Sequence, residues 1–171
     1  MKTLLLVDWQ NNDYQNSDKA HSGAAVINGS YLLEQWRKKG FNVVHVLTDC
    51  VKIWKSNQWR KQRFKSESPI VDNTILREFT PLDDETLLWK PDRSAFFNTN
   101  LEETLTPGQQ IYCTGAATTG CVLATAIHGD ALGYEMHFVE DCIFDKDQQR
   151  HDRGMDILPK FGRVVHSKDI V

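Results

Sequence analysis

Short apolar runs alternate with longer amphipathic stretches along this chain. Runs of about four to eight mostly apolar residues, bounded by polar ones, are typical of strands buried on both faces of a sheet. The pattern predicts six such strands, at Thr3–Val7, Asn42–Leu47, Thr86–Trp89, Gln110–Thr114, Glu135–Val139 and Arg163–His166.

Helical spacing appears between the strands. It is seen after the first strand at Ala25, Leu32, Leu33 and Trp36, and after the fourth at Val122, Leu123, Ala126, Ile127 and Ala131. Gly40 and Gly133 follow these stretches as C-cap glycines. Alternating strands and helices predict the α/β class: a three-layer, doubly wound, six-stranded parallel sheet of Rossmann-type topology, with helices on both faces.

Length and composition favour one compact, reduced domain. The 171 residues fit a single domain, predicted as 1–171, and 40% of them are hydrophobic. The net charge of −3 gives no general attraction to nucleic acid or to a membrane. The early apolar run at Leu4–Val7 is too short for a signal or membrane segment, and the four cysteines form no paired motif. We therefore expect a cytoplasmic protein.

Three reactive side chains are predicted to meet at one edge of this sheet. Asp8 and Lys90 each follow a strand, and Cys121 follows the fourth strand after a turn of small residues. Ligands of open parallel sheets bind outside the carboxyl ends of the strands. At such a turn, with helix N–H groups and Lys90 nearby, we expect a lowered thiol pKa and a nucleophilic thiolate at Cys121. Asp8 would be its general base, and acyl transfer through a thioester the natural chemistry.

Three segments in order resemble the isochorismatase-like hydrolases. They are Leu4–Asn11, Trp89–Lys90 with Ser94–Phe96, and Thr114–Val122, and the C-terminal Arg163–Ser167 is similar to the last strand of that family. The resemblance implies a Cys121, Asp8 and Lys90 catalytic triad acting on a small molecule without a cofactor. It also implies an oxyanion hole formed by the amides of Ala117 and Cys121, a cis peptide at Ala116–Ala117, and assembly into a homo-oligomer.

Departures from the family pattern narrow the chemistry. Nicotinamidases of this family carry a metal-binding Asp-x-His after the second strand, whereas Thr48–Lys52 contains no histidine. We therefore expect no metal site. Asn12 and Asp13 stand where relatives usually have an acid and an aromatic residue. Because Cys121 is retained, an amide, imide or ureido C–N bond is favoured as the substrate bond.

The walls of the pocket are less defined by the sequence. Phe96 is tied to Lys90 by proximity and is a candidate pocket wall, while Gln10 either contacts substrate or bonds the Asp8 loop. Trp54, in a polar and cationic connection between residues 50 and 84, either lines the pocket or packs against the sheet or another subunit.

Two other functions remain open at this stage. One is isochorismatase-type vinyl-ether hydrolysis with Asp8 as the acid, in which Cys121 is dispensable. The other is a catalytically silent binding protein that keeps the fold and loses the substrate.

Overall fold

The sheet contains the six predicted strands. The computed structural model describes residues 2–50 and 72–171. Its strands are β1 (Lys2–Val7), β2 (Asn42–Thr48), β3 (Thr86–Lys90), β4 (Gln110–Ala116), β5 (Glu135–Phe144) and β6 (Arg163–Val165). All neighbours pair in parallel, in the order β3-β2-β1-β4-β5-β6. The predicted α/β fold class is confirmed.

The strands β1 to β4 match the prediction to within two residues at each end. Two further differences lie at the ends of β5 and β6. β5 continues to Phe144, because Cys142, Ile143 and Phe144 are buried again after the polar interruption at Glu140 and Asp141. β6 ends at Val165, one residue before the predicted end. The side chain of His166 instead accepts a hydrogen bond from Lys168 N–H and caps a short 3-10 turn.

Helices cover both faces of the sheet, as predicted. They are α1 (Asn11–Gln15), α2 (Lys19–Lys38), α3 (Leu123–Ala131) and α4 (Gln148–Met155). α2 begins after Asp18, whose carboxylate accepts from Ala20 N–H at 3.0 Å. It ends before Gly40, which has the positive φ of 64° that a C-cap glycine adopts readily.

The alternation of strand side chains produces two cores. On one face, Leu4 and Leu6 belong to a cluster with Leu32 and Trp36 of α2. On the other, successive residues of the same strands pack with Ala126 of α3. β1, β2 and β4 are buried along almost their whole length, so their sequences are nearly continuous apolar runs. The edge strand β3 instead alternates half-buried residues with the exposed Leu87 and Trp89.

Trp54 lies outside the described residues, so its predicted role stays a prediction. Among the described residues, none of the helices combines the length and hydropathy needed to cross a membrane. The single-domain organisation, the cytoplasmic location and the homo-oligomer also stay predictions.

Candidate active site

The three predicted residues meet at the carboxyl edge of the sheet. Asp8 directly follows β1, Lys90 ends β3, and Cys121 lies in the turn after β4. β2 separates β1 from β3, and its last residue, Thr48, is paired with Lys90. Parallel strands therefore bring together side chains that are far apart in sequence.

Lys90 joins the carboxylate to the thiol. It is fully buried, and its Nζ lies 2.8 Å from Asp8 Oδ2 and 3.3 Å from Cys121 Sγ. It also donates to the hydroxyl of Thr48 and to the carbonyl of Asp92. Burial acts to lower the pKa of Lys90, but the charge of Asp8 and the Cys121 contact outweigh it, so the pKa lies above its ordinary value. The amine is therefore a fixed positive charge.

The Asp8 carboxylate is held from two sides. Oδ2 faces Lys90, and Oδ1 accepts from the backbone N–H of Thr48 at 2.7 Å. Asp8 has a positive φ of 51°, a conformation that aspartate adopts more readily than most residues. The turn after β1 thus aims the carboxylate across β2 toward Lys90.

Gln10 bonds the Asp8 loop to β2. It is fully buried, its Nε2 donates to the Thr48 carbonyl at 3.0 Å, and its Oε1 accepts from Thr48 N–H at 3.0 Å. Of the two alternatives that the sequence left open, the structure supports bonding of the Asp8 loop. Both ends of its amide are used by Thr48 of β2, and a role of Gln10 in a pocket stays a prediction.

Cys121 differs from the sequence expectation in two respects. It does not begin α3, because residues Thr118–Val122 form a π-helical turn with a non-helical Gly120 (φ −115°, ψ −106°) before α3 starts at Leu123. Burial, followed by the charge of Asp8, raises the pKa of the thiol, and the opposing effect of Lys90 is smaller. The expected lowering of the thiol pKa is therefore wrong: Cys121 keeps its proton at rest, hydrogen bonded to Asp8.

The peptide between Ala116 and Ala117 is cis, as the resemblance implied. Ala117 immediately precedes the π-helical turn, and its carbonyl accepts from Gly120 N–H at 2.9 Å and Val122 N–H at 3.2 Å. The N–H groups of Ala117 and Cys121 are the candidates for the oxyanion hole.

Phe96 packs in the core formed by the described residues. It is 4% exposed, and its ring stacks on Tyr134 with ring centroids 5.4 Å apart. The connection after β3 turns its side chain toward His128 of α3, and its predicted role as a pocket wall stays a prediction. A cavity of about 240 Å³ does lie beside Lys90, lined by Asp49, Trp89, Lys90, Pro91 and Asn98. A larger cavity of about 690 Å³ lies at the amino edge of the sheet, around Lys2 and Asn42, away from Cys121.

Two polar residues of the site region, Thr48 and Asp145, were missed from the sequence, and Asp13 was named there only as a departure from the family pattern. Thr48 contacts Asp8, Lys90 and Gln10, and its position at the end of β2 was the available signal. The pKa of Asp13 is raised to about 7 by burial and by the charges of Asp8 and Asp145. Asp145, which follows β5, binds the turn that carries Cys121. Within residues 2–50 and 72–171, no cluster of three or more His, Cys, Asp or Glu side chains is arranged to hold a metal ion.

A family model and several known proteins match this chain. The model of the isochorismatase domain matches residues 2–169. The uncharacterized isochorismatase family protein YrdC of Bacillus subtilis is 28% identical over 143 residues, 82% of this chain and 72% of that protein. A maleamate amidohydrolase of Pseudomonas putida is 32% identical over 88 residues, 50% of this chain and 41% of that enzyme.

A solved structure extends the likeness to almost the whole fold. The crystal structure of N-carbamoylsarcosine amidase from Thermoplasma acidophilum superposes with a TM-score of 0.75 at 20% identity, covering 99% of this chain and 98% of the amidase chain. At that identity the likeness concerns the fold. The family match over residues 2–169 shows that this chain belongs to the isochorismatase family of hydrolases.

Proposed function

We propose that this hydrolase cleaves an amide, imide or ureido C–N bond of a small molecule through a thioester at Cys121. The observation that carries the proposal is the contact chain in which Lys90 Nζ lies 2.8 Å from Asp8 Oδ2 and 3.3 Å from Cys121 Sγ. A nucleophile, a proton acceptor and a fixed cation thus lie within one contact of each other. Similarity to proteins named as an amidohydrolase and an amidase supports the C–N bond as the target.

The first half-reaction starts from the protonated thiol. Asp8 takes the thiol proton as Sγ attacks the carbonyl carbon, and the carbonyl electron pair moves to oxygen. Asp8 then gives that proton to the leaving nitrogen as the C–N bond breaks and the carbonyl re-forms. The products of this step are a thioester on Cys121 and a free amine.

The second half-reaction repeats the sequence with water. Asp8 accepts a proton from water as the water oxygen attacks the thioester, and the proton returns to the sulfur when the C–S bond breaks. The carboxylic acid product leaves and the thiol is restored. Because Asp8 both accepts and donates in each half, its carboxylate must be held in place, and the Thr48 amide and Lys90 do this.

Lys90 and the turn amides stabilise charge. The ammonium next to sulfur lowers the free energy of the thiolate that forms during attack, which offsets the burial that raises the pKa of the resting thiol. The N–H groups of Ala117 and Cys121 would bind the oxyanion, and each such donor contributes about 3–4 kcal/mol in measured cases.

Trapping of the acyl-enzyme tests this proposal. The protein is incubated with a panel of small amides, imides and ureido compounds, quenched in acid, and examined by intact-protein and peptide mass spectrometry. We expect an acyl adduct on Cys121 with compounds that are turned over, and none in Cys121→Ala. Cys50→Ser is the matched control, because Cys50 is a half-buried thiol whose pKa burial raises to about 12. Full turnover by Cys121→Ala would refute the thioester mechanism.

The variant Asp8→Ala and a vinyl-ether substrate, added to this test, separate the other two functions. Vinyl-ether hydrolysis with Asp8 as acid predicts activity in Cys121→Ala and its loss in Asp8→Ala. A silent binding protein predicts no adduct and no turnover across the panel.

A further inference from the structure

The turn that carries Cys121 is tied to the end of β5 by a buried carboxylate. Asp145, directly after β5, is only 3% exposed. Its Oδ2 accepts from the backbone N–H of Thr119 at 2.8 Å and from the Thr119 hydroxyl at 2.7 Å. Its Oδ1 accepts from Lys146 N–H at 2.7 Å. Both carboxylate oxygens are therefore committed to the backbone around the site.

The turn receives support from outside its own residues, in addition to the bonds that Gly120 and Val122 donate to the Ala117 carbonyl. Ala117, which precedes the turn, has no polar side chain to cap it, and the backbone of Gly120 departs from helical geometry one residue before Cys121. The N–H of Thr119 is an orphan donor of the kind found at helix starts, and it is satisfied by a residue 26 positions away. The turn is thus fixed by a tertiary contact two residues before Cys121.

α4 supports the neighbouring threonine of the same turn. The hydroxyl of Thr118 lies 2.8 Å from Nδ1 of His151. A Cβ at Gly154 would lie 2.5 Å from Cγ2 of Thr118, so α4 packs against the turn at van der Waals contact. The two threonines before the nucleophile are therefore held side by side, one through α4 and the other through Asp145.

The two hydrogen bonds from Thr119 to Asp145, called the Asp145 anchor below, have a charged acceptor. Among the residues that the structure describes, no Lys or Arg forms an ion pair with Asp145. A buried carboxylate without a cation is costly unless its hydrogen bonds are good, and hydrogen bonds to a charged acceptor are about twice as strong as neutral ones. A neutral side chain at position 145 would cost less free energy to bury, but it would form weaker hydrogen bonds to the turn.

We infer that Asp145 is a positioning residue for the reaction, which through Thr119 holds Cys121 Sγ against Lys90 and keeps the turn amides aimed at the oxyanion. The inference rests on the proposed function. A misplacement of about 1 Å in a catalytic group can reduce the rate about 100-fold. Releasing the turn should therefore reduce kcat much more than it changes KM.

The test compares three variants that weaken the anchor by different amounts. Asp145→Asn removes the charge and one acceptor, Thr119→Val removes only the hydroxyl, and Thr119→Ser keeps both donors. Asp156→Asn is the matched control for loss of a carboxylate, because Asp156 is exposed in the turn after α4. All are measured for thermal midpoint, for the pH dependence of Cys121 alkylation by iodoacetamide, and for kcat and KM on an amide turned over by the wild type.

We expect the alkylation profile to report the position of the thiol. Release of the turn moves Sγ away from Asp8 and toward solvent, so the apparent pKa of Cys121 falls and its alkylation at neutral pH speeds up about 10-fold. Asp145→Asn and Thr119→Val should both show this change, with kcat about 10 to 100-fold lower and KM within about 3-fold. Thr119→Ser and Asp156→Asn should behave as wild type. The double variant Asp145→Asn/Thr119→Val should add little to Asp145→Asn, because the two residues act through one contact.

Two results would overturn the inference. The first is an alkylation profile and a kcat equal to those of the wild type in both Asp145→Asn and Thr119→Val. The second is a lowered thermal midpoint with an unchanged kcat, when kcat is calculated for the fraction of protein whose Cys121 can be alkylated. If Cys121→Ala retains turnover, the proposed function fails, while the alkylation profiles still decide whether Asp145 positions the thiol.

Discussion

Replacing Lys90 by Met tests how far the fold depends on its active-site ion pair. The side chain is fully buried and paired with Asp8 at 2.8 Å. Methionine keeps a similar apolar stem, so the substitution removes the charge and its hydrogen bonds with little loss of packing. What remains is a buried Asp8 carboxylate without its cation.

The expected loss in free energy of unfolding follows from the burial of the ion pair. Removal of one partner of a buried ion pair costs about 3–5 kcal/mol, mostly because the remaining charge is left uncompensated. The hydrogen bonds that Lys90 donates to Thr48 and Asp92 are lost as well, but they overlap with that value and do not simply add to it. We expect the free energy of unfolding to fall by about 4 kcal/mol. This is a large part of the roughly 5–15 kcal/mol that stabilises a typical domain.

Urea denaturation followed by tryptophan fluorescence at pH 7 measures the change. The matched control is the double variant Asp8→Asn/Lys90→Met, which removes both charges and should lie within about 2 kcal/mol of the wild type. A loss below about 1 kcal/mol in Lys90→Met, or a double variant no more stable than the single one, would refute the reasoning.

Two further predictions concern backbone fit and pH. Gly115→Ala should reduce the free energy of unfolding by more than about 4 kcal/mol, since its Cβ would lie 1.8 Å from the Val7 carbonyl oxygen at a φ of 107°. In the same urea assay, Gly23→Ala, with no atom near its Cβ, should raise it by about 0.5–1 kcal/mol. Burial, followed by the nearby charge of His21, lowers the pKa of His151, so the unfolded chain binds more protons below about pH 6.5 and the free energy of unfolding falls from there as pH decreases. His151→Gln should flatten that decline in urea titrations between about pH 7.5 and 5; an unchanged slope would contradict it.

The sequence alone determined the strands and the edge at which chemistry collects. The strands β1, β2 and β4 are apolar runs because both of their faces are buried, and this local signal needs no knowledge of the partner strand. Asp8 and Lys90 were found because they follow such runs, and parallel strands place their carboxyl ends together. The cis peptide at Ala116–Ala117 came from the family resemblance and has no local signal of its own.

Only the tertiary structure decided where side chains point and which charges they face. Gln10 follows Asp8 closely in sequence, and Phe96 follows Lys90. In the structure, Gln10 bonds β2 and Phe96 packs against Tyr134. The sign of the Cys121 pKa shift was wrong from the sequence, because it depends on how near Asp8 lies relative to Lys90 and on how much water is excluded.

The anchor at Asp145 shows the physical reason most directly. Its partner Thr119 lies 26 residues earlier, and nothing in the pattern around either residue indicates the other. Hydrophobic periodicity records which face of an element is buried, and a hydrogen bond between two loops depends on the relative placement of β4, β5 and the turns that follow them. The sequence therefore predicted the fold and the candidate site residues, and the packing of the sheet determined the geometry in which those side chains meet.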